Sequence, residues 1–291
     1  MPAKPSVQAV GICHKRVGDL VVTAINDGYL DGSLDLVTQV SKDEAAAAQR
    51  ASCRSIPPRL TINAFLVQAD GGRPILIDTG AGTNFGPSGG KLAEGLKLAG
   101  VEPAEIGTVL ITHAHPDHTG GLAAGGSAVF SNAELVLGQA EADHWLADGA
   151  LERAPEGARP YFQGAQAAIA PYKGRLRTVS SGEVVPGVTA VAAPGHTPGH
   201  TAYRIDSAGQ SLLIWGDIVH LPGIQFALPG AGVVFDVDGK QAVETRRRMF
   251  DMAASSELTV AGMHGEFPAF GRVVRDGQAY RFLPDSWVSE I

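Results

Sequence analysis

The chain has 291 residues, with 23 lysines and arginines against 30 acidic residues and a formal charge of −7. That balance disfavours a polyanionic partner such as nucleic acid. Apolar residues make up 44% of the chain and charged ones 18%, which excludes disorder and is ample for a large core. The two cysteines, Cys13 and Cys53, stand in no C-x-x-C pair, so neither a disulfide framework nor a thiolate metal site is expected.

The opening "MPAKPSVQAVGICHKRVGDL" has no apolar segment of signal-peptide length, and no later stretch approaches a membrane span. A cytoplasmic location is therefore expected, with residues 1–17 read as an N-terminal extension. "DLVVTAI", "LTINAFLVQA" and "RPILIDTG" read as antiparallel strands, separated by the turn signals "NDGYLDG" and "DGG". Between the first two, "SKDEAAAAQRA" reads as a helix, because Ser41 and Glu44 have capping-box spacing. "KLAEGLKLAG" reads as another, closed by Gly100.

Strand and helix patterns then alternate through "TVLIT", "AELVLG", "QAEADHWLAD", "YFQGAQAAIAPY", "VTAVAA", "SLLIWGD", a helix near 239–254 and "LTVAG". "GRVVRDGQAYRFLP" is a hairpin pattern with Asp276-Gly277 as the expected turn pair. Five of these strands deliver a ligand-type residue just past their carboxyl ends: Asp78, His113, His196, Asp217 and His264. In layered α/β proteins that edge is where loops converge on rigid strands, so a site is expected there. Because its residues run from 78 to 264, one domain spanning 1–291 is expected.

The densest stretch is "THAHPDHTGG". In an extended segment, residues i and i+2 project to one side, so His113 and His115 can grip one ion. Pro116 turns the chain, and Asp117 and His118 can then face a second ion. Counting donors gives His113, His115 and His196 to one ion and Asp117, His118 and His264 to the other, with the Asp217 carboxylate bridging both. Asp117 and Asp217 are the carboxylates expected at the reacting centre. Imidazole and carboxylate hold zinc at roughly 2.0–2.2 Å, and the same donors accept manganese, iron or cobalt. Two divalent ions about 3.5–4 Å apart can share a hydroxide whose pKa falls toward roughly 7, and that hydroxide is the expected nucleophile. Asp78 either orients a ligand histidine or its loop, or caps the turn before Gly80. His14, His144, His200 and His220 read as structural or solvated.

The ordered set "HAHPDH", "GHTPGH", "WGD" and "MHGEF" resembles the metallo-β-lactamase superfamily from about residue 62 to 275. The resemblance implies a four-layer αβ/βα sandwich and the ligand assignment above. Asp217 stands where one major class of true β-lactamases has cysteine, and His115 stands where flavodiiron members have glutamate. Antibiotic hydrolysis and redox chemistry are therefore disfavoured. "DTGAGTNFGP", "EADHWL", "YFQGAQAAIAPY", "PGHTPGHT" and "FPAFGRVVRDGQAYRFLP" look like the methyl parathion hydrolase branch and, more loosely, the quorum-signal lactonases. This likeness implies an aromatic substrate pocket at Phe85, Trp145 and Phe162, and a homodimer. It also implies a small-molecule substrate, a lactone or aryl ester first, with phosphotriester hydrolysis as a side activity. A glyoxalase II-like thioesterase, a β-lactamase, a mononuclear iron sulfur dioxygenase and an RNA-processing member are the alternatives.

Overall fold

Seven strands form the first sheet, hydrogen-bonded in chain order: β1 (Ile12–Val17), β2 (Leu20–Asp31), β3 (Arg59–Gln68), β4 (Ile75–Ile77), β5 (Thr108–Leu110), β6 (Glu134–Gly138) and β7 (Leu176–Val179). The first four pair antiparallel and the last four parallel. Seven more form the second sheet, again in chain order: β8 (Gly182–Val185), β9 (Val188–Ala192), β10 (Thr201–Ser207), β11 (Gln210–Ile214), β12 (Thr259–Ala261), β13 (Gly271–Asp276) and β14 (Ala279–Pro284). Only β11 and β12 pair parallel in that sheet. This computed structural model describes residues 4–291.

The two-residue alternation of strand side chains assigns each residue to one of three apolar layers. Phe65, Val67, Ile77 and Leu110 point into the space between the sheets, where Ile205, Leu212 and Ile214 meet them. Their neighbours Ala64, Leu66, Leu76 and Val109 point outward beneath helices α1 (Leu92–Leu98), α2 (Gln139–Leu146) and α3 (Arg159–Ile169). On the far side, Leu213 and Val260 pack against Met249, Phe250 and Ala253 of α4 (Gly239–Ser255). The result is the expected four-layer αβ/βα sandwich. A fully buried Leu, Ile or Phe contributes roughly 1.5–3 kcal/mol, so three such layers hold the sheet edges rigid for the loops above them.

Three local expectations are corrected. The extension expected over 1–17 does not hold beyond residue 11, because Ile12–Val17 is strand β1, paired with β2 from Ile12↔Ile25 to Val17↔Leu20; residues 1–3 of that expected extension lie outside the described residues. "NDGYLDG" does not turn: β2 runs on to Asp31, with its register shifting between Asn26 and Gly28. That bulge aims buried Asp27 inward, where its carboxylate accepts from the backbone N–H groups of Ala81, Gly90 and Leu92. In the final hairpin Asp276 pairs with Ala279, so the two-residue turn is Gly277-Gln278, one position later than expected. No helix among the described residues is long and apolar enough to cross a membrane.

Candidate metal centre

Strands β4, β5, β9, β11 and β12 end one to four residues before Asp78, His113, His196, Asp217 and His264. Their carboxyl ends share one edge of the sandwich, and the side chains converge there. His115 Nδ1 lies 3.0 Å from His113 Nε2 and 3.0 Å from His196 Nε2. Asp217 Oδ2 is 3.6 Å from His113 Nε2, 3.4 Å from His196 Nε2, 3.3 Å from His118 Nε2 and 3.2 Å from His264 Nε2. Asp117 Oδ2 is 3.7 Å from His118 Nε2 and 3.4 Å from His264 Nε2. Four donors around a tetrahedral ion at 2.0–2.2 Å sit about 3.4 Å apart, so these spacings fit two ions with one carboxylate between them.

The surrounding hydrogen bonds fix which nitrogen of each ring faces inward. His196 Nδ1 donates to Asp236 Oδ1 at 2.8 Å, His118 Nδ1 to Asp78 Oδ2 at 2.6 Å, and His264 Nδ1 to the Thr61 carbonyl at 2.7 Å. Thr112 Oγ1 donates to Asp78 Oδ2 and is 3.1 Å from His113 Nδ1, whose proton it accepts. Each of these imidazoles therefore turns Nε2 to the centre, and in its neutral form offers a lone pair there, as a metal requires. The buried His118 Nε2 and Asp217 Oδ1 have no hydrogen-bond partner. Orphaned acceptors of this kind are costly without a cation, and the donor set fits two divalent ions.

Burial holds the His113, His115 and His196 imidazoles well below their ordinary value, and therefore neutral. Burial alone would raise the Asp217 carboxyl, but His118, His264 and His220 outweigh it and leave it well below the usual range.

Asp78 sits at φ 58°, in the left-handed region that aspartate tolerates better than most residues. From there its carboxylate also accepts from Thr112 N at 2.8 Å. His200, set aside as structural, donates from Nδ1 to the Ala193 carbonyl and accepts the Asp217 N–H at 2.9 Å on Nε2. It orients the backbone of the carboxylate it does not touch. Gly216 is required beside it, because a Cβ there would overlap His200 Nε2.

A cavity of about 110 Å³ opens onto this set, walled by Leu30, Leu60, Phe85, Tyr161 and Phe235. A larger one, about 350 Å³, shares no lining residue with it and is lined in part by Asp27, whose carboxylate is already fully engaged, so the chemistry belongs to the smaller. Of the three aromatics expected at a substrate pocket, Phe85 alone lines this cavity. Trp145 and Phe162 are 2% and 6% exposed and belong to the core under the helices. Trp145 instead donates from Nε1 to Glu141 at 2.6 Å and packs edge-on to the His115 ring.

Several residues at or around the centre were missed from sequence. Tyr161 stands one position before Phe162, about 100° around α3, and lines the cavity while Phe162 is buried. Asp236 carried no signal, lying in a loop far from every histidine motif. His220 did carry one, the D-x-x-H spacing after Asp217. Its Nε2 lies 3.0 Å from Asp217 Oδ2, and the ring lines the cavity with neither nitrogen hydrogen-bonded.

Fold and site together define an α/β sandwich carrying, at one edge, a cluster of histidines and aspartates that could hold metal ions. The pattern of the metallo-beta-lactamase superfamily matches residues 57–264, and the chain belongs to that superfamily. An N-acyl homoserine lactonase of a Bacillus sp is 29% identical over 167 residues, covering 51% of this chain and 59% of that protein. The N-acyl homoserine lactonase AiiA of Bacillus thuringiensis subsp. kurstaki matches to the same extent. The matched region thus spans 59% of the length of these curated relatives. Among solved structures, the hydrolase AbOPH of the β-lactamase superfamily is 33% identical at a TM-score of 0.91, covering 97% of this chain and 100% of that one. AidC, a dizinc quorum-quenching lactonase solved with a product, is 25% identical at a TM-score of 0.89, covering 96% and 99%.

Proposed function

We propose that the chain is a dinuclear metal-dependent hydrolase that opens uncharged lactones or cleaves aryl esters. The observation that carries this reading is the cavity lining: metal-ligand side chains and His220 at its floor, apolar walls, and no lysine or arginine. A glutathione thioester or a nucleic-acid phosphate would find no lysine or arginine there to pair its remote charges, whereas a neutral ester needs none. The likeness to Bacillus N-acyl homoserine lactonases and to AidC supports an N-acyl lactone as the first substrate to try.

His113, His115 and His196 would hold one ion and Asp117, His118 and His264 the other, with Asp217 between them. Two divalent ions bound there would bring a water to a pKa near roughly 7 and polarise an ester carbonyl. The chain's own residues do the rest. Leu30, Leu60, Phe85 and Phe235 would seat an apolar acyl or aryl arm and exclude water. Tyr161 and His220 would meet the polar end, with His220 free to donate to a substrate oxygen from a ring nitrogen that has no other partner. A phosphotriester is also uncharged and would turn over as a side activity.

A hydrolysis panel tests the substrate class: N-acyl lactones, aryl esters, aryl phosphotriesters, β-lactams and glutathione thioesters, on protein of measured metal content. The expected order of kcat/KM places lactones or aryl esters at least 100-fold above β-lactams and glutathione thioesters. A glutathione thioester ranked first would refute the reading.

A further inference from the structure

Glu141 is fully buried on α2 and belongs to no ligand set, yet its carboxylate accepts from two of the loops that carry ligands. Oε1 accepts from the backbone N–H of Ala114 at 2.9 Å and from Trp145 Nε1 at 2.6 Å. Oε2 accepts from Thr197 Oγ1 at 2.6 Å and from the backbone N–H of Gly199 at 3.0 Å. Ala114 is the residue between His113 and His115, and Thr197 directly follows His196. The Trp145 ring held by the same carboxylate lies edge-on to His115, with ring centres 5.6 Å apart. All three nitrogens of one set are thus one residue or one ring contact away from Glu141.

The other set is anchored elsewhere. His118 is held by Asp78 and His264 by the Thr61 carbonyl, and neither touches Glu141. We infer that Glu141 is a positioning residue for a single ion, holding the 113–115 and 196–199 loops at the separation the three-nitrogen set needs. Asp78 instead holds His118 directly and reaches His113 only through Thr112. The inference rests on the two-ion reading of the centre. Local packing agrees with it: Gly138 and Gly199 let α2 and the 196–199 loop approach backbone to backbone, where a Cβ on Gly199 would overlap the Glu141 nitrogen.

Glu141→Gln tests it without changing volume. Ala114 N–H and Trp145 Nε1–H can only donate, so the single amide oxygen must stay with them. The amide NH₂ is then left facing Gly199 N–H, and only the His196 side is released. The probe is zinc alone, with the full-length protein dialysed against buffers of stepped free zinc and the occupancy of each position read by anomalous scattering.

Wild type should fill two positions. In Glu141→Gln the His113–His115–His196 position should need 10–100-fold more zinc, the cost typical of removing an outer hydrogen bond to a metal ligand. The other position should move less than threefold. Excess zinc should return kcat to within about threefold of wild type with KM unchanged. Thr197→Val, which removes one donor of the four, should weaken the same position by a smaller factor and serves if the glutamine variant does not fold. Equal weakening at both positions, no weakening, or lost turnover that saturating zinc does not restore would overturn the inference. A wild-type chain that never fills two positions would instead overturn the two-ion reading.

Discussion

Asp217 is the residue on which the centre turns. Its Oδ2 lies within 3.6 Å of an inward-facing nitrogen on His113, His118, His196 and His264, while its Oδ1 has no partner. A buried carboxylate in that position is stabilised only by positive charge, and two divalent ions supply it better than protonated imidazoles. His220 shares the pocket but not the logic. Its Nδ1 and Nε2 have no hydrogen-bond partner, although Nε2 lies 3.0 Å from Asp217 Oδ2, and its ring lines the cavity, a costly arrangement unless an ion or a substrate atom completes it. In His220→Phe the two ions should remain while kcat/KM for the preferred ester falls about 10–100-fold, toward the lower bound for losing one donor to developing charge. Zinc content and steady-state kinetics on the same preparation check this, and unchanged kinetics would remove His220 from the reaction.

At the scale of elements, the site depends on strands that stop in time and loops that pack closely. The ends of β4, β5, β9, β11 and β12 could be read from sequence because each is a short apolar run followed by a residue that has no business in a core. Contacts between elements could not be read so. Trp145 and Phe162 lie on helical faces, and one sequence cannot show whether a face turns to the cavity or to the layer beneath. The structure turns both inward and gives the wall to Tyr161 and Phe235. Strand β1 was hidden for a different reason, its "ICHKRV" run being only half-buried at the sheet edge. The close approach of α2 to the 196–199 loop carries its own prediction. Gly199→Ala places a methyl against the Glu141 backbone and should cost about 1–3 kcal/mol, read as a lower urea midpoint. An unchanged midpoint would mean that the two segments separate freely.

Across the whole molecule, the sandwich brings residues that follow five strands and span 78–264 to one edge, and the Asp117, His118 and His264 group closes only across the stretch of chain from 117 to 264. The fold class and the convergence of the ligand-type residues were legible because imidazole and carboxylate at strand ends have few other uses. The partners of those ligands were not, since Asp236 and Glu141 act through hydrogen bonds that no spacing rule encodes. The most direct test measures metal content and lactone turnover together, in the wild type and in Asp217→Ala. The two-ion account predicts two divalent ions per chain in the wild type, at most one in the variant, and turnover reduced at least about 1,000-fold. A variant that keeps near-normal turnover, or a wild type active with a single iron, would contradict it.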